Sequence, residues 1–165
     1  MFHVNIHVYN TMKYLWIFAV APVLVLSTDC PAGWTGYQNK CFFFSHTMET
    51  WSSASAVCQS FKSMLAEPKT TAEIGFLSGE LQHFGIADIW VGITDIITEN
   101  QWVYDSSLTP IEVNNWGPRE PNGHSVENCV IMSGYFHGKF ADVECHSPRK
   151  FICERAARID GELIG

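Results

Sequence analysis

Six cysteines constrain this chain more strongly than any other sequence feature. They all follow an apolar N-terminal segment that has the layout of a secretory signal. An even number of cysteines in an oxidising compartment predicts three disulfides, whose pairing the spacing alone does not fix. Bound zinc is the alternative, and the lack of any Cys-x-x-Cys pair weighs against it. The cysteines are Cys30, Cys41, Cys58, Cys129, Cys145 and Cys153.

The N-terminal region is expected to be removed from the mature protein. Residues 12–28 contain one positive charge at Lys13, an apolar run and small residues at the end, which predicts a secretory signal peptide. Residues 1–11 fit neither signal nor domain and are interpreted as an upstream extension before a functional start at Met12. A short membrane anchor is the alternative, but the run is shorter than the about 20 residues that span a bilayer, and Pro22 interrupts it. We therefore expect a secreted protein without a membrane span after cleavage.

The composition indicates one folded domain with an acidic surface. Apolar residues make up 47% of the chain and charged residues 16%, which is typical of a packed globule. The formal net charge is −7, so we expect no nucleic acid or anionic membrane as partner, because both require a basic face. We predict a single domain over residues 29–155, followed by a loose C-terminal tail over residues 156–165.

Hydrophobic periodicity predicts two helices followed by strands. Thr50–Phe61 and Thr70–Phe84 repeat apolar residues at helical spacing, and each buried stripe ends on its last phenylalanine. A Thr-x-x-Glu capping pattern begins the second helix. Residues 108–123 form a long loop without periodicity, and the order of elements predicts an α+β fold. The predicted strands are Tyr37–Phe44, Met64–Pro68, Ile89–Ile93, Gln101–Tyr104, Cys129–Met132 and Lys150–Cys153.

The irregular loop and the segment after it are rich in oxygen donors. Glu120, Asn122, Glu127 and Asp142 provide three carboxylates and an amide, with few lysines or arginines among them. Hard oxygen ligands at this density are what Ca²⁺ prefers. These residues alone leave open the alternative of an acidic, solvated loop.

Several motifs occur in a characteristic order between Cys30 and Glu154. They are Trp51-x-x-Ala54-x-x-x-Cys58, Ile89-Trp90-Val91-Gly92-Ile93-Thr94-Asp95, Gln101-Trp102, Trp116-Gly117, Glu120-Pro121-Asn122, Glu127-Asn128-Cys129-Val130 and Phe151-Ile152-Cys153-Glu154. In this order they resemble the C-type lectin-like domain family, in its long form with an extra N-terminal disulfide. The resemblance implies two helices packed on antiparallel sheets, a long irregular calcium and sugar loop, and the disulfides Cys30–Cys41, Cys58–Cys153 and Cys129–Cys145.

The same resemblance implies a calcium and carbohydrate site. Glu120, Asn122, Glu127 and Asp142 match family residues that bind both Ca²⁺ and sugar. In the family the proline of the Glu-Pro-Asn motif is cis, so Pro121 is expected to be cis and to turn its neighbours towards the ion. The motif resembles that of lectins which prefer mannose, fucose or N-acetylglucosamine, whose adjacent hydroxyls complete the coordination of Ca²⁺.

Two departures from the family pattern bear on this site. Ala141 stands where the family has an asparagine that gives a carbonyl to calcium and an amide to the sugar, so both interactions are expected to weaken. Asp95 and Glu99 fall where some members bind an accessory calcium. Gly123, however, replaces another acid of that site, so two solvated acids are the favoured interpretation.

We therefore expect a secreted lectin that binds exposed glycans through Ca²⁺, with innate recognition of microbial glycans implied by the resemblance. The alternative is a calcium-independent protein of the same fold that binds a protein receptor or a mineral surface, its sugar site degraded by Ala141. An enzyme is not expected, because the chain has no nucleophile motif such as Gly-x-Ser-x-Gly. His124, His137 and His146 are interpreted as surface residues rather than zinc ligands. The sequence leaves homo-oligomer formation open, since it contains no collagen-like or coiled-coil segment.

Overall fold

The computed structural model describes residues 28–159. The predicted upstream extension, the predicted signal peptide up to residue 27 and the last six residues of the predicted tail lie outside this range. No helix within the described part is long and apolar enough to cross a bilayer. The helices are α1 (Trp51–Ser60) and α2 (Thr71–His83), and a 3₁₀ turn covers His124–Val126. The strands are β1 (Thr28–Asp29), β2 (Thr35–Tyr37), β3 (Lys40–Phe44), β4 (Met64–Leu65), β5 (Asp88–Thr94), β6 (Val103–Tyr104), β7 (Cys129–Ser133), β8 (Lys139–Val143), β9 (Lys150–Ala156) and β10 (Arg158–Ile159).

Eight strands form one mixed sheet at the centre of the molecule. Its path is β2-β3-β9-β5-β7-β8, with β4 paired to β9 and β6 paired to β5. The pairings are antiparallel except that between β5 and β9, which is parallel through Ile89 with Lys150 and Trp90 with Phe151. Strands β1 and β10 form a separate antiparallel pair. Two helices on a largely antiparallel sheet confirm the predicted α+β fold.

Both helices begin at the predicted threonines. The hydroxyl of Thr50 accepts a hydrogen bond from the N–H of Ser53 at 3.3 Å, and that of Thr70 accepts one from the N–H of Glu73 at 3.1 Å. The Glu73 carboxylate in turn accepts from the N–H of Lys69 at 2.9 Å, one residue before the threonine that a capping box would use. These bonds satisfy backbone donors that have no partner inside the helix.

Each helix packs on one side of the sheet. Helix α2 buries Ile74, Leu77 and Leu81 in a large apolar cluster with residues of β3, β5, β7 and β9. Helix α1 buries Trp51, Ala54 and Cys58 in a second cluster that also contains Ala141 of β8. The two clusters fix the sheet from both sides, so the edge strand β8 has a defined position.

Three disulfides join the pairs that the resemblance implied. Cys58 of α1 is bonded to Cys153 of β9, and Cys30 is bonded to Cys41 of β3. The third bond connects Cys129, at the start of β7, to Cys145, just after the end of β8. It therefore ties together the two strands that approach the acidic loop.

Several boundaries differ from the sequence prediction. The aromatic run from residue 37 to 44 is interrupted by a turn at Gln38, whose φ is 52°, so β2 and β3 form a hairpin. Strand β6 contains only two of the four residues predicted for it. Phe61 and Phe84, predicted to be buried, are 43% and 48% exposed because each is the C-cap of its helix. The predicted tail begins inside strand β9, which runs to Ala156 because it pairs with β3.

Candidate functional site

The four predicted calcium ligands lie around one open cleft. Glu120 and Asn122 come from the loop before β7, Glu127 follows the 3₁₀ turn, and Asp142 is on β8. The cleft has a volume of about 380 Å³. The Glu120–Pro121 bond is cis, as the resemblance implied. The fold thus brings residues that are up to 22 positions apart in the sequence to the same surface depression.

Asp142 holds the loop against the sheet. Its carboxylate accepts hydrogen bonds from the N–H of Asn122 at 2.9 and 3.1 Å and from the N–H of Gly123 at 2.8 Å. The side-chain amide of Asn122 donates to the Glu120 carboxylate at 2.8 Å. Gly123 is required here, because a Cβ at this position would collide with the side chain of Glu127. The loop is therefore ordered by contacts within the chain.

The cleft concentrates negative charge. Burial raises the pKa of Glu120 to about 7, with a further rise from the hydrogen bond and charge of Asp142 and from the charge of Glu127. Burial also raises the pKa of Glu127, as do the charges of Asp142 and Glu144, while Arg149 opposes the rise. Carboxylates that disfavour one another's ionised form would be stabilised by a cation placed among them.

The donor set fits calcium in its chemistry but is incomplete in number. Carboxylate and amide oxygens are suitable ligands, and Ca²⁺ takes about 6–8 of them. Ala141 contributes no side-chain oxygen, and the carboxylate of Asp142 already accepts from two N–H groups. Across residues 28–159 no three His, Cys, Asp or Glu side chains converge closely enough to form a metal cluster. Any calcium here would need water or ligand oxygens in addition to Glu120, Asn122, Glu127 and Asp142.

The two residues of the predicted accessory site differ from each other. Glu99 is exposed, as expected for a solvated acid. Asp95 is only 2% exposed, which corrects that expectation, because the side chain folds back to accept the N–H of Asn100 at 2.8 Å. Its other oxygen, Oδ1, is buried without a hydrogen-bond partner. Burial raises the pKa of Asp95, with a smaller rise from the charge of Asp142.

Sequence reasoning missed the other walls of the cleft. Tyr135 and Phe136, from the turn between β7 and β8, line it, and so do Asp88 and Arg149. Their separation along the chain gives no local pattern that could have linked them to the acidic loop. Their position follows only from the pairing of β7 with β5 and β8. The three flanking histidines, His124, His137 and His146, are exposed and do not belong to the cleft wall.

Known proteins resemble this chain over most of its length. The lectin C-type domain model matches residues 47–155. C-type lectin domain family 3 member A of Homo sapiens is 34% identical over 147 residues, which cover 87% of this chain and 74% of the relative. Tetranectin-like protein of Carcharhinus perezii is 30% identical over 149 residues, covering 88% and 89%.

Solved structures share the fold. The mouse scavenger receptor C-type lectin carbohydrate-recognition domain has a TM-score of 0.73 at 26% identity, covering 78% of this chain and 98% of its own. A calcium-independent type II antifreeze protein has a TM-score of 0.71 at 26% sequence identity, and the match covers 80% of this chain and 98% of the antifreeze protein. The cow CD23 carbohydrate-recognition domain was solved in the presence of a GlcNAc2Man3 oligosaccharide. It has a TM-score of 0.71 at 29% sequence identity, and the match covers 80% of this chain and 99% of the CD23 domain. The family match and these relatives establish that the chain belongs to the C-type lectin domain family.

Proposed function

We propose that this protein binds carbohydrate in the cleft formed by Glu120, Asn122, Glu127 and Asp142, and that it does so with Ca²⁺. The observation that carries the proposal is the concentration of these oxygen donors at one open cleft, where burial, and after it the charge of neighbouring carboxylates, raises the pKa of Glu120 and Glu127. The cow CD23 carbohydrate-recognition domain, solved in the presence of an oligosaccharide, supports a glycan as ligand for this fold. Mannose, fucose and N-acetylglucosamine are the proposed sugars, on the basis of the Glu-Pro-Asn order.

In the proposed site, calcium would coordinate the sugar hydroxyls and the protein side chains would form hydrogen bonds with them. Calcium, when bound, supplies coordination positions for two adjacent sugar hydroxyls. The carboxylates of Glu120 and Glu127 accept hydrogen bonds from such hydroxyls, and the side-chain N–H of Asn122 donates to them. Because hydrogen bonds to charged groups are stronger than neutral ones, the two glutamates contribute most to orientation. Secretion and innate recognition of microbial glycans are the proposed context. The role is one of binding, without catalysis, and oligomer formation would add avidity.

One second function has a specific observation in its favour. Ala141 removes a side-chain ligand, and Asp142 is engaged by the loop backbone. Both features suit a calcium-independent protein that binds a protein receptor or a mineral surface. The calcium-independent antifreeze protein is a neighbour of the same fold. This alternative predicts no dependence of ligand binding on calcium.

Calorimetry distinguishes the two functions. Titration with Ca²⁺ up to millimolar concentration is expected to give a saturable heat, and mannose added afterwards a second one. Galactose serves as the control sugar and is expected to bind more weakly. The absence of calcium binding, with mannose also inert, would refute the calcium-dependent proposal and leave the protein-binding alternative.

A further inference from the structure

The cleft continues beyond the four oxygen ligands. Its remaining wall has three parts: the aromatic turn at Tyr135 and Phe136, a floor that includes Ala141, and the pair Asp88 and Arg149. A volume of about 380 Å³ lies within the roughly 300–1,000 Å³ typical of small-molecule sites. Asp142 pairs with Val130 near one end of the β7–β8 hairpin, whereas Tyr135 and Phe136 lie in its turn, so the four ligand residues occupy one end of the cleft.

Tyr135 presents an aromatic face to solvent beside this polar cleft. It is 81% exposed, and its ring meets that of Phe136 edge to face, with centroids 5.1 Å apart. The neighbouring ring therefore supports Tyr135 from one side and leaves the rest of it open. Aromatic faces carry partial negative charge and attract the electropositive edges of bound groups. A sugar ring, with C–H groups on one face and hydroxyls around its rim, matches this combination.

Asp88 and Arg149 form a donor and acceptor pair that lines the same cleft. Arg149 Nη1 donates to Asp88 Oδ2 at 3.2 Å, and both side chains keep partial exposure. The guanidinium lies over the ring of Trp90 at 5.5 Å, and the Arg149 backbone exchanges two hydrogen bonds of 2.9 Å with Glu49. A guanidinium has five N–H donors and a carboxylate accepts through both oxygens, so the pair retains capacity to bind neighbouring hydroxyls.

Ala141 lies between the two ends of the cleft. Its methyl group packs in the same apolar cluster as Ile131 of β7, and both residues line the floor. The short side chain adds no polar group and leaves the space above it open. The same substitution that weakens the single-sugar site thus permits a longer ligand to lie across the floor.

We infer that the cleft binds an oligosaccharide of at least two rings. One ring is held by Glu120, Asn122 and Glu127, and the next packs on Tyr135 with its hydroxyls bonded to the Asp88–Arg149 pair. This inference rests on the proposed carbohydrate function. It adds that the second ring supplies binding energy that the site has lost at Ala141.

The test compares mannose with a mannose trisaccharide by calorimetry in the presence of calcium. The full protein is expected to bind the trisaccharide about tenfold more tightly, from one stacking contact and one or two hydrogen bonds. Tyr135→Ala is expected to reduce this gain severalfold without changing the mannose affinity, whereas Tyr135→Phe retains it. Phe61→Ala serves as a matched control, because this exposed aromatic residue lies outside the cleft wall.

The possible outcomes distinguish failure of the second sugar subsite from failure of the proposed carbohydrate-binding function. Mannose binding with no gain for the trisaccharide, or a gain that Tyr135→Ala leaves unchanged, overturns the second subsite and leaves the lectin function intact. Binding of neither sugar overturns both. Trisaccharide binding that is weakened severalfold in Tyr135→Ala supports the inference even where mannose alone is too weak to measure. Circular dichroism of each variant excludes misfolding as the cause of a loss.

Discussion

Replacing Glu154 with glutamine removes a buried titratable group that does not line the cleft, and the new side chain has nearly the same shape. Glu154 is 2% exposed, and its carboxylate accepts from Lys40 Nζ at 3.1 and 3.2 Å and from the N–H of Glu67 at 3.0 Å. Lys40 also donates to Glu73 at 2.6 Å. Burial of Lys40 lowers its pKa, but the charges and hydrogen bonds of Glu154 and Glu73 outweigh burial and raise it. The ammonium group of Lys40 therefore pairs with the carboxylates of both Glu154 and Glu73.

The shared cation does not fully compensate the burial of Glu154. Burial raises its pKa from 4.5 to about 7, although Lys40 and the N–H of Glu67 oppose the rise. Because the folded state holds the proton more tightly than the unfolded state, the contribution of this group to stability is fully present below about pH 4.5. It is lost as the pH rises through about 7. At about 1.4 kcal/mol per pH unit, the loss amounts to about 3 kcal/mol.

Urea unfolding at about pH 4, 6 and 8 measures this effect. The unfolding free energy of the native protein minus that of Glu154→Gln is expected to fall by about 3 kcal/mol across this range. Subtracting the variant cancels the titration of the other carboxyl groups. Glu112→Gln, at an exposed carboxylate, is the control, and its difference is expected to change little. A Glu154→Gln difference that stays constant or grows with pH would mean that Lys40 keeps Glu154 ionised, which would refute the reasoning.

Three further predictions concern the cleft. Ala141→Asn is expected to tighten calcium and mannose binding by restoring an oxygen ligand and an amide donor, and unchanged calorimetric affinities would mean that position 141 does not reach the ion. Because the pKa of Glu120 is raised to about 7 by burial and Asp142, calcium affinity is expected to fall as the pH drops from about 8 to 6, and a flat profile would contradict this. Gly123→Ala is expected to lower both the unfolding temperature and the calcium affinity, because the new Cβ would collide with the Cβ of Glu127 and only a shift of the loop backbone could relieve that contact, so a normal calcium affinity would argue against Glu127 as a ligand.

The elements that sequence patterns predicted are those with local signals. Both helices combine an apolar stripe with a threonine N-cap, and the structure begins each helix at the predicted threonine. Strand β8 was missed, because its sequence includes Ala141 and Asp142, which have low strand propensity, and it exists through its pairing with β7. The length of β9, predicted to end at Cys153, was underestimated for the same reason. Strand β9 continues past the last cysteine since β3 provides a partner there.

The candidate site could be predicted only in part. Residues within one contiguous motif could be predicted, and residues from distant segments could not. The motif around Pro121 is contiguous, so its residues and its cis bond could be anticipated from resemblance. Tyr135, Asp88 and Arg149 each belong to a different segment, and only the strand order brings them to the same cleft. The burial of Asp95 could not be predicted from the sequence either, because it depends on the turn in which the N–H of Asn100 donates to the Asp95 carboxylate.

Removing calcium distinguishes the two proposed functions, because Asp142 is expected to keep the loop ordered without the ion. Its carboxylate holds the loop through the N–H groups of Asn122 and Gly123, so loop order does not require a metal. A carboxylate has about four lone-pair positions, and those left free can still bind an ion. Chelation is therefore expected to abolish mannose binding while near-UV circular dichroism and protease resistance of the loop stay unchanged. If chelation instead exposes the loop to proteolysis, the ion is a structural part of it, and the hydrogen bonds of Asp142 are insufficient to hold the loop.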